Sequence, residues 1–136
     1  MEDTIFMKII RREIPADIVY EDEYTLAFLD VKPMNPGHTL VVPKKFVRNI
    51  FDVDDETLAI VMRTARKVAL ALRETLGAEG VNINNNNELA AGQIVFHYHI
   101  HIIPRFANDG IVLQHGKPYP PGESAKIASK LRQALT

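Results

Sequence analysis

The 136-residue sequence contains no cysteine, which excludes disulfide frameworks, thiolate zinc sites, iron–sulfur clusters and cysteine nucleophiles. It also lacks an excess of charge of either sign: 16 lysines and arginines stand against 17 aspartates and glutamates, for a formal net charge of −1. General nucleic-acid binders carry a strong positive balance, so we expect no nucleic-acid partner. An anionic ligand would have to be held by local groups rather than by the field of the whole protein.

Long apolar runs are absent as well. No segment approaches the roughly 20 apolar residues of a membrane span, and the N-terminus lacks the apolar core of a signal peptide. We therefore expect a cytoplasmic protein with no membrane partner. Hydrophobic residues make up 46% and charged residues 24% of the chain, which is typical of globular proteins. The length suits one domain spanning residues 1–136.

The pattern of apolar residues predicts an α+β fold. The clearest helix begins in the acidic stretch 52–56 and ends at Gly77, because negative charge favours a helix N-terminus and glycine favours a C-terminal cap. A short first helix is predicted to be capped by Asp3, and an amphipathic last helix covers residues 124–135. Strands are predicted over 18–20, 25–29, 38–42, 81–84 and 94–103. Pro43 is predicted to end the third of these strands and Pro104 the last. These elements favour a mostly antiparallel sheet of about five strands.

Three of the five histidines lie in one segment, His97-Tyr98-His99-Ile100-His101-Ile102-Ile103. Side chains on a strand alternate between its two faces, so the three imidazoles are predicted to share one side. Tyr98, Ile100 and Ile102 would share the other and pack on the long helix. A strand fixed in this register would present the three rings from a rigid element.

A metal site is one interpretation of this histidine cluster. Alternate strand residues are about 6.6 Å apart and the outer pair about 13 Å, so one ion could not comfortably take both His97 and His101. Two neighbouring rings together with His38 could still hold zinc. The other interpretation is nucleophilic, since neutral imidazole can attack phosphorus and a neighbouring imidazole can move the proton of the leaving group.

A phosphate group would also need hydrogen-bond donors. No Walker-type glycine loop is present, and the stretch 84–93 is the better candidate because its asparagine and glutamine amides are uncharged donors. Gly92 would let the backbone approach an anion closely. A flexible turn, in which asparagine is common for conformational reasons, explains the same residues equally well.

The histidine segment resembles the defining motif of the histidine triad (HIT) family, His-φ-His-φ-His-φ-φ with φ apolar. It follows Gly92-Gln93, which is equally typical of that family. Three upstream stretches resemble family segments in the same order: residues 4–16, residues 27–30 and residues 36–45. The likeness covers roughly residues 3–106, followed by a tail and helix over 107–136, and it implies a HIT-like fold.

The resemblance implies a hydrolase or transferase that acts at the α-phosphate of a purine nucleotide. His99 resembles the nucleophile, His101 resembles the residue that contacts the phosphate or leaving group, and His97 and His38 would orient the neighbouring rings. Asp30 lies where the family binds ribose hydroxyls. The positions that resemble phosphate contacts are Asn86, Gly92 and Gln93, and those that resemble the apolar base slot, which ordinary core would explain as well, are Phe6, Ile9, Ile14, Val31 and Leu40.

Two positions depart from the family pattern. Ile94 stands where many relatives carry serine or threonine, and Tyr119 stands where one branch has a tryptophan that reaches the partner's site in the family dimer.

The resemblance implies a homodimer and no required cofactor, while leaving room for a divalent metal. It favours hydrolysis of nucleoside phosphoramidates or AMP conjugates through a nucleotidyl-histidine. Hydrolysis of dinucleoside polyphosphates, nucleotide binding without catalysis and zinc binding remain the alternatives.

Overall fold

The computed structural model describes residues 3–111 and 118–135. Its described parts form an α+β fold, as the apolar pattern predicts. The helices are α1 (Ile5–Ile10), α2 (Asp55–Leu76) and α3 (Glu123–Leu135), and a 3₁₀ turn lies at Leu89–Ala91. The strands are β1 (Ile18–Glu21), β2 (Thr25–Leu29), β3 (Thr39–Pro43), β4 (Gly80–Asn84) and β5 (Ile100–Arg105).

The five strands form one antiparallel sheet in the order β1-β2-β3-β5-β4. The central strands β2 and β3 are buried almost throughout, since helices cover both faces of the sheet. Leu40 of β3 stands opposite His101 of β5, so the two side chains point to the same face. That register decides on which side of the sheet the histidines lie.

The long helix α2 covers one face of the sheet. Val61, Ala65 and Val68 of this helix pack in one buried cluster with Tyr98 and Ile102. The prediction that the apolar residues of the histidine segment face the long helix is therefore confirmed. The opposite face is covered by α1, whose Phe6 and Ile9 pack on alternating side chains of the central strands: Leu26, Phe28, Leu40 and Val42.

The ends of α2 follow the predicted chemistry. The Asp54 carboxylate accepts a hydrogen bond from the Thr57 backbone N–H at 2.8 Å, and Gly77 closes the helix in the left-handed conformation, at φ 69°. The cap predicted for α1 is wrong by one residue. Thr4 Oγ1, not Asp3, accepts from the Met7 N–H, while the Asp3 carboxylate pairs with the guanidinium of Arg11.

The predicted strand over 94–103 is wrong at both ends. Strand β5 begins only at Ile100 and continues through Pro104 to Arg105. The preceding backbone bonds elsewhere: the Tyr98 N–H donates to the Val47 carbonyl at 2.7 Å, and the His97 carbonyl accepts from a histidine ring. Strand β4 also ends at Asn84, opposite His101, so it offers no partner for an earlier start.

The last helix has the predicted span within one residue, but its apolar stripe is not packed in a core. Ile127 and Leu131 are both exposed. Among the described residues, no helix combines the length and the apolar character that crossing a membrane requires.

Candidate active site

An open cavity of about 500 Å³ lies on the α1 face of the sheet. Two of the predicted catalytic rings, His99 and His101, line it, and Asp30 lies beside them. The structure also brings most of the predicted nucleotide contacts to this cavity: Phe6, Ile9, Ile14, Val31, Leu40, Asn86 and Gly92. His38, His97 and Gln93 are not part of its lining, although each is connected to it through hydrogen bonds.

A chain of hydrogen bonds assigns the proton on two of the rings. The backbone N–H of Met34 donates to His38 Nδ1 at 3.1 Å, so this nitrogen carries a lone pair and the His38 proton lies on Nε2. His38 Nε2 lies 3.0 Å from His101 Nδ1 and therefore donates to it. His101 in turn carries its proton on Nε2, which makes that nitrogen a donor.

The ring of His99 has the opposite arrangement. Its Nδ1 lies 2.7 Å from the main-chain carbonyl of His97, and a carbonyl oxygen only accepts, so the proton of His99 lies on Nδ1. Its Nε2 is left with a free lone pair. The centroids of the His99 and His101 rings are 5.0 Å apart. One unprotonated nitrogen and one N–H donor thus stand on adjacent rings of the same cavity.

Burial keeps all four of these rings neutral. It lowers the pKa of His38, His97 and His99 below the ordinary histidine value, against the opposing effect of the Asp30 carboxylate on His38 and His99. His101 is shifted furthest, to a pKa of about 4, because burial is joined by the nearby rings of His99 and His38. Uncharged imidazole is the form that attacks an electrophile.

The first histidine of the motif is sealed inside the protein. His97 is fully buried, and its Nε2 donates to the Pro43 carbonyl at 2.8 Å, while Nδ1 has no hydrogen-bond partner among the described residues. The edges of Phe6 and Phe46 pack against its ring. His97 therefore lies on the α1 side with His99, as alternation predicts, because both rings pack on Phe6. The prediction that a strand presents its ring to the site is wrong, because the chain bends at His97 and the ring is buried. Its contact with the site is its carbonyl, which orients His99.

Gln93 is held in a buried polar cluster behind the cavity. Its Oε1 accepts from the Glu88 N–H at 2.7 Å and from Asn49 Nδ2 at 3.0 Å, and its Nε2 donates to the carbonyls of Arg48 and Val95. The amide is only 1% exposed. Since every donor and acceptor of the amide is engaged, the structure does not bring this side chain to a phosphate. It fixes the backbone of the loop that carries Gly92.

Three residues of this cluster were missed by the sequence analysis. The guanidinium of Arg48 forms a two-pronged pair with Glu88, at 2.8 and 2.9 Å, and Asn49 Nδ2 donates to the same carboxylate at 2.6 Å. These bonds lower the pKa of Glu88 to about 2. The backbone of Glu88 has φ 74°, which is uncommon outside glycine. About 40 residues separate the partners in sequence, so no local pattern could have shown the contact.

One group of side chains has the spacing of a metal site. Asp30, His38 and His101 offer ligand atoms that all lie within 4.8 Å of one another. Their hydrogen bonding opposes this use, because a metal would need the lone pair of His38 Nε2, and the Met34 N–H fixes the proton there. The Asp30 Oδ1 accepts from the Lys32 N–H, and Oδ2 lies 3.6 Å from His38 Nε2.

The model of the HIT domain family matches residues 11–108. The chain belongs to the HIT family. An uncharacterized HIT-like protein of Methanocaldococcus jannaschii is 50% identical over 113 residues, which are 83% of this chain and 87% of that protein. The crystal structure of a HIT family protein from Bacillus subtilis is 41% identical, covers 99% of both chains and has a TM-score of 0.88.

Two further HIT family structures are similar to this chain. A zinc-bound histidine triad protein from Mycobacterium smegmatis is 36% identical, covers 96% of each chain and has a TM-score of 0.78. A structure described as a HIT family hydrolase from Clostridium thermocellum is 35% identical, covers 83% of this chain and 99% of its own, and has a TM-score of 0.70. These descriptions apply to those proteins.

Both departures from the HIT pattern are exposed. The side chain of Ile94 is 85% exposed at the cavity, and that of Tyr119 is 64% exposed on the stretch that precedes α3.

Proposed function

We propose that the protein is a hydrolase of purine nucleotide conjugates in which His99 attacks the α-phosphorus. The observation that carries this proposal is the pair of complementary tautomers: His99 has a free lone pair on Nε2, and the adjacent His101 has a proton on Nε2. A nucleophile next to a proton donor is what displacement at phosphorus requires. The pair of tautomers is set by backbone groups of Met34 and His97, so it does not depend on bound substrate.

The reaction divides into two displacements. His99 Nε2 forms a bond to phosphorus while the bond to the leaving group breaks. The proton on His101 Nε2 passes to the leaving group and is replaced by a proton from solvent, so the His101 ring ends the step neutral. A water molecule then attacks the phosphorus, the phosphorus–nitrogen bond breaks, and the proton released by water passes through His101 to solvent. The products are the free leaving group and a nucleoside monophosphate. His38 keeps His101 in the required tautomer throughout.

The rest of the cavity suits a nucleoside monophosphate. The Asp30 carboxylate can accept hydrogen bonds from both ribose hydroxyls. The apolar side chains of Phe6, Ile9 and Ile14 provide a wall for the base, as ligand cavities are mostly apolar with a few polar groups. Asn86 and Gly92 line the same cavity, and in this proposal the backbone at Gly92 and the amide of Asn86 would hold the phosphate. No resident metal is required by this scheme, and a homodimer remains a prediction from the HIT family.

The proposal is tested with His99→Ala and His99→Gly, assayed for release of nucleoside monophosphate from an adenosine phosphoramidate and from a dinucleoside polyphosphate. We expect turnover to be abolished, while equilibrium binding of AMP survives because the ribose and base contacts remain. Equal turnover by the variants would eliminate the covalent mechanism. Binding by the wild-type protein without any turnover would instead support a nucleotide-binding module.

Zinc binding is the second candidate, favoured by the spacing of Asp30, His38 and His101 and by the zinc-bound relative. It is separated from the hydrolase by metal analysis of protein purified without a His tag and by activity under chelation. Stoichiometric zinc with chelator-sensitive activity would favour the metal. We expect neither, because the lone pair a zinc ion would need on His38 is occupied by a proton.

A further inference from the structure

Ile94 is the most conspicuous residue at the cavity that the proposed mechanism does not use. Its large apolar side chain is 85% exposed, although the residues on both sides of it are packed against the protein. Gln93 on one side is buried to 1% exposure and Val95 on the other packs against the core beneath α1.

The orientation of Ile94 is fixed by the buried cluster around Gln93. The Gln93 amide donates to the Val95 carbonyl and the Arg48 carbonyl and accepts from the Glu88 N–H, which holds the backbone on both sides of Ile94. Because Gln93 must point inward to make these bonds, the next residue is directed outward. Exposure of Ile94 is thus a consequence of a rigid scaffold.

Ile94 stands between two hollows. The first is the cavity with Asp30, His99 and His101, and the second is an adjoining hollow of about 340 Å³ lined by Asp3, Thr4, Ile5, Ile94, Val95 and Phe96. Ile5, Ile94 and Val95 line both, so the two hollows meet along these three side chains. Asp30 lines only the first. A nucleotide with its ribose at Asp30 would therefore direct its leaving group from the histidines across this apolar junction.

The side chains that line the second hollow offer no positive charge to an anionic leaving group. Among the described residues that line it there is no lysine or arginine, and the one charged side chain is the carboxylate of Asp3. Arg11 pairs with Asp3 and also with Glu13, so the nearby guanidinium is shared between two carboxylates. A polyphosphate leaving group would require cations or clustered N–H donors at this end.

We propose that Ile94, together with Ile5, forms a leaving-group subsite that selects conjugates of an amine with an apolar substituent over conjugates of a polyphosphate. This inference rests on the proposed function and specifies its substrate class. In the first step the phosphorus–nitrogen bond of the phosphoramidate breaks, and the amine leaves with the proton from His101 Nε2. The apolar substituent of that amine packs on Ile94 and Ile5 while the phosphorus–nitrogen bond to His99 forms.

The test compares three substrates that share the AMP portion: unsubstituted adenosine 5′-phosphoramidate, its N-benzyl derivative and diadenosine triphosphate. The kcat/KM of each is measured for the wild-type protein, for Ile94→Ser and for Leu89→Ser. Leu89 is the matched control because it is 77% exposed on the same loop and lines neither hollow. Because both side chains are exposed, we expect neither substitution to change the free energy of unfolding by more than about 0.5 kcal/mol.

We expect the wild-type protein to favour the N-benzyl substrate over diadenosine triphosphate. Ile94→Ser should lower the ratio of N-benzyl to unsubstituted rates about tenfold, the scale of a lost hydrophobic pocket contact. Leu89→Ser should leave that ratio unchanged. An unchanged ratio in Ile94→Ser, an equal loss on all three substrates, or a matching loss in Leu89→Ser would overturn the inference. Failure of the proposed function itself is recognised separately, since the wild-type protein would then release AMP from none of them.

Discussion

The two faces of the sheet are built from the same strands, but one face is packed with apolar side chains and the other borders an open cavity with histidines. On the α2 face, Val41 and Ile102 pack against a continuous apolar helix surface. On the α1 face, Leu40 shares its side with His101, which pairs with it in register and borders an open cavity. Successive residues of one strand therefore serve stability and chemistry in turn. The comparison predicts that substitutions one residue apart will separate the two properties.

His101→Ala provides the largest expected effect on the chemical side. Loss of a positioned proton donor typically reduces rates 10²–10⁴-fold, so we expect kcat to fall in that range. The free energy of unfolding should fall by no more than about 1–3 kcal/mol, because the buried His38 N–H loses its acceptor. Measuring kcat together with denaturant unfolding checks both expectations. If His101→Ala were strongly destabilised but kept the kcat of the wild type, the α1 face would serve stability and not chemistry, which would contradict this comparison.

Ile102→Ala is the matched change on the opposite face. Ile102 is fully buried in the α2 cluster, and truncating such a residue costs about 2–5 kcal/mol through lost burial and the cavity left behind. We expect this loss in the free energy of unfolding, with kcat of the remaining folded protein within about threefold of wild type. A loss in kcat comparable to that of His101→Ala would show that the faces are coupled.

Gln93→Ala sharpens the comparison, because this residue supports the site without lining it. Its loss leaves the Glu88 backbone N–H and one of the two N–H groups of the Asn49 amide without an acceptor, which costs about 1–3 kcal/mol of stability. We expect KM to rise as the loop loosens. Gln93→Glu is the companion variant: it keeps the acceptor but loses the donor to the Arg48 and Val95 carbonyls, so it should lose stability as well. A rise in KM without any loss of stability would favour direct contact between Gln93 and substrate.

A change of pH is expected to have a smaller effect on stability and rate than the three substitutions. The pKa values of His38, His97, His99 and His101 are all lowered, so below about pH 6.5 the unfolded chain binds protons that the folded chain does not. The contribution of these rings to stability is complete above pH 6.5 and is lost as the pH falls toward 4. The acid limb of kcat/KM should likewise lie below pH 6.5. A limb at or above that value would contradict neutral rings held by burial.

The sequence predicted those features that depend on local pattern. Alternation placed Ile100 and Ile102 on the helix face, and Asp54 and Gly77 bound α2 as their chemistry requires. The HIT motif identified the family. These features depend on residues within one turn or one strand, where spacing decides the geometry.

The remaining features depend on contacts between distant parts of the chain. His97 is buried because its ring reaches the Pro43 carbonyl, and Gln93 turns inward because Asn49 and Glu88 meet it there. The tautomer of His101 is set through His38 by the Met34 N–H, which is a backbone group. Motif spacing identifies which residue types are present, and only the tertiary structure shows which nitrogen carries a proton.

The central claim is that the lone pair on His99 Nε2 attacks phosphorus, and trapping the intermediate tests it most directly. Wild-type protein and His99→Ala would be mixed with an adenosine phosphoramidate, quenched within one turnover, digested and analysed by mass spectrometry. We expect an adenylyl group on the peptide that contains His99 in the wild-type protein and none in the variant. Turnover without any adenylylated peptide, or the adenylyl group on another residue, would contradict the mechanism.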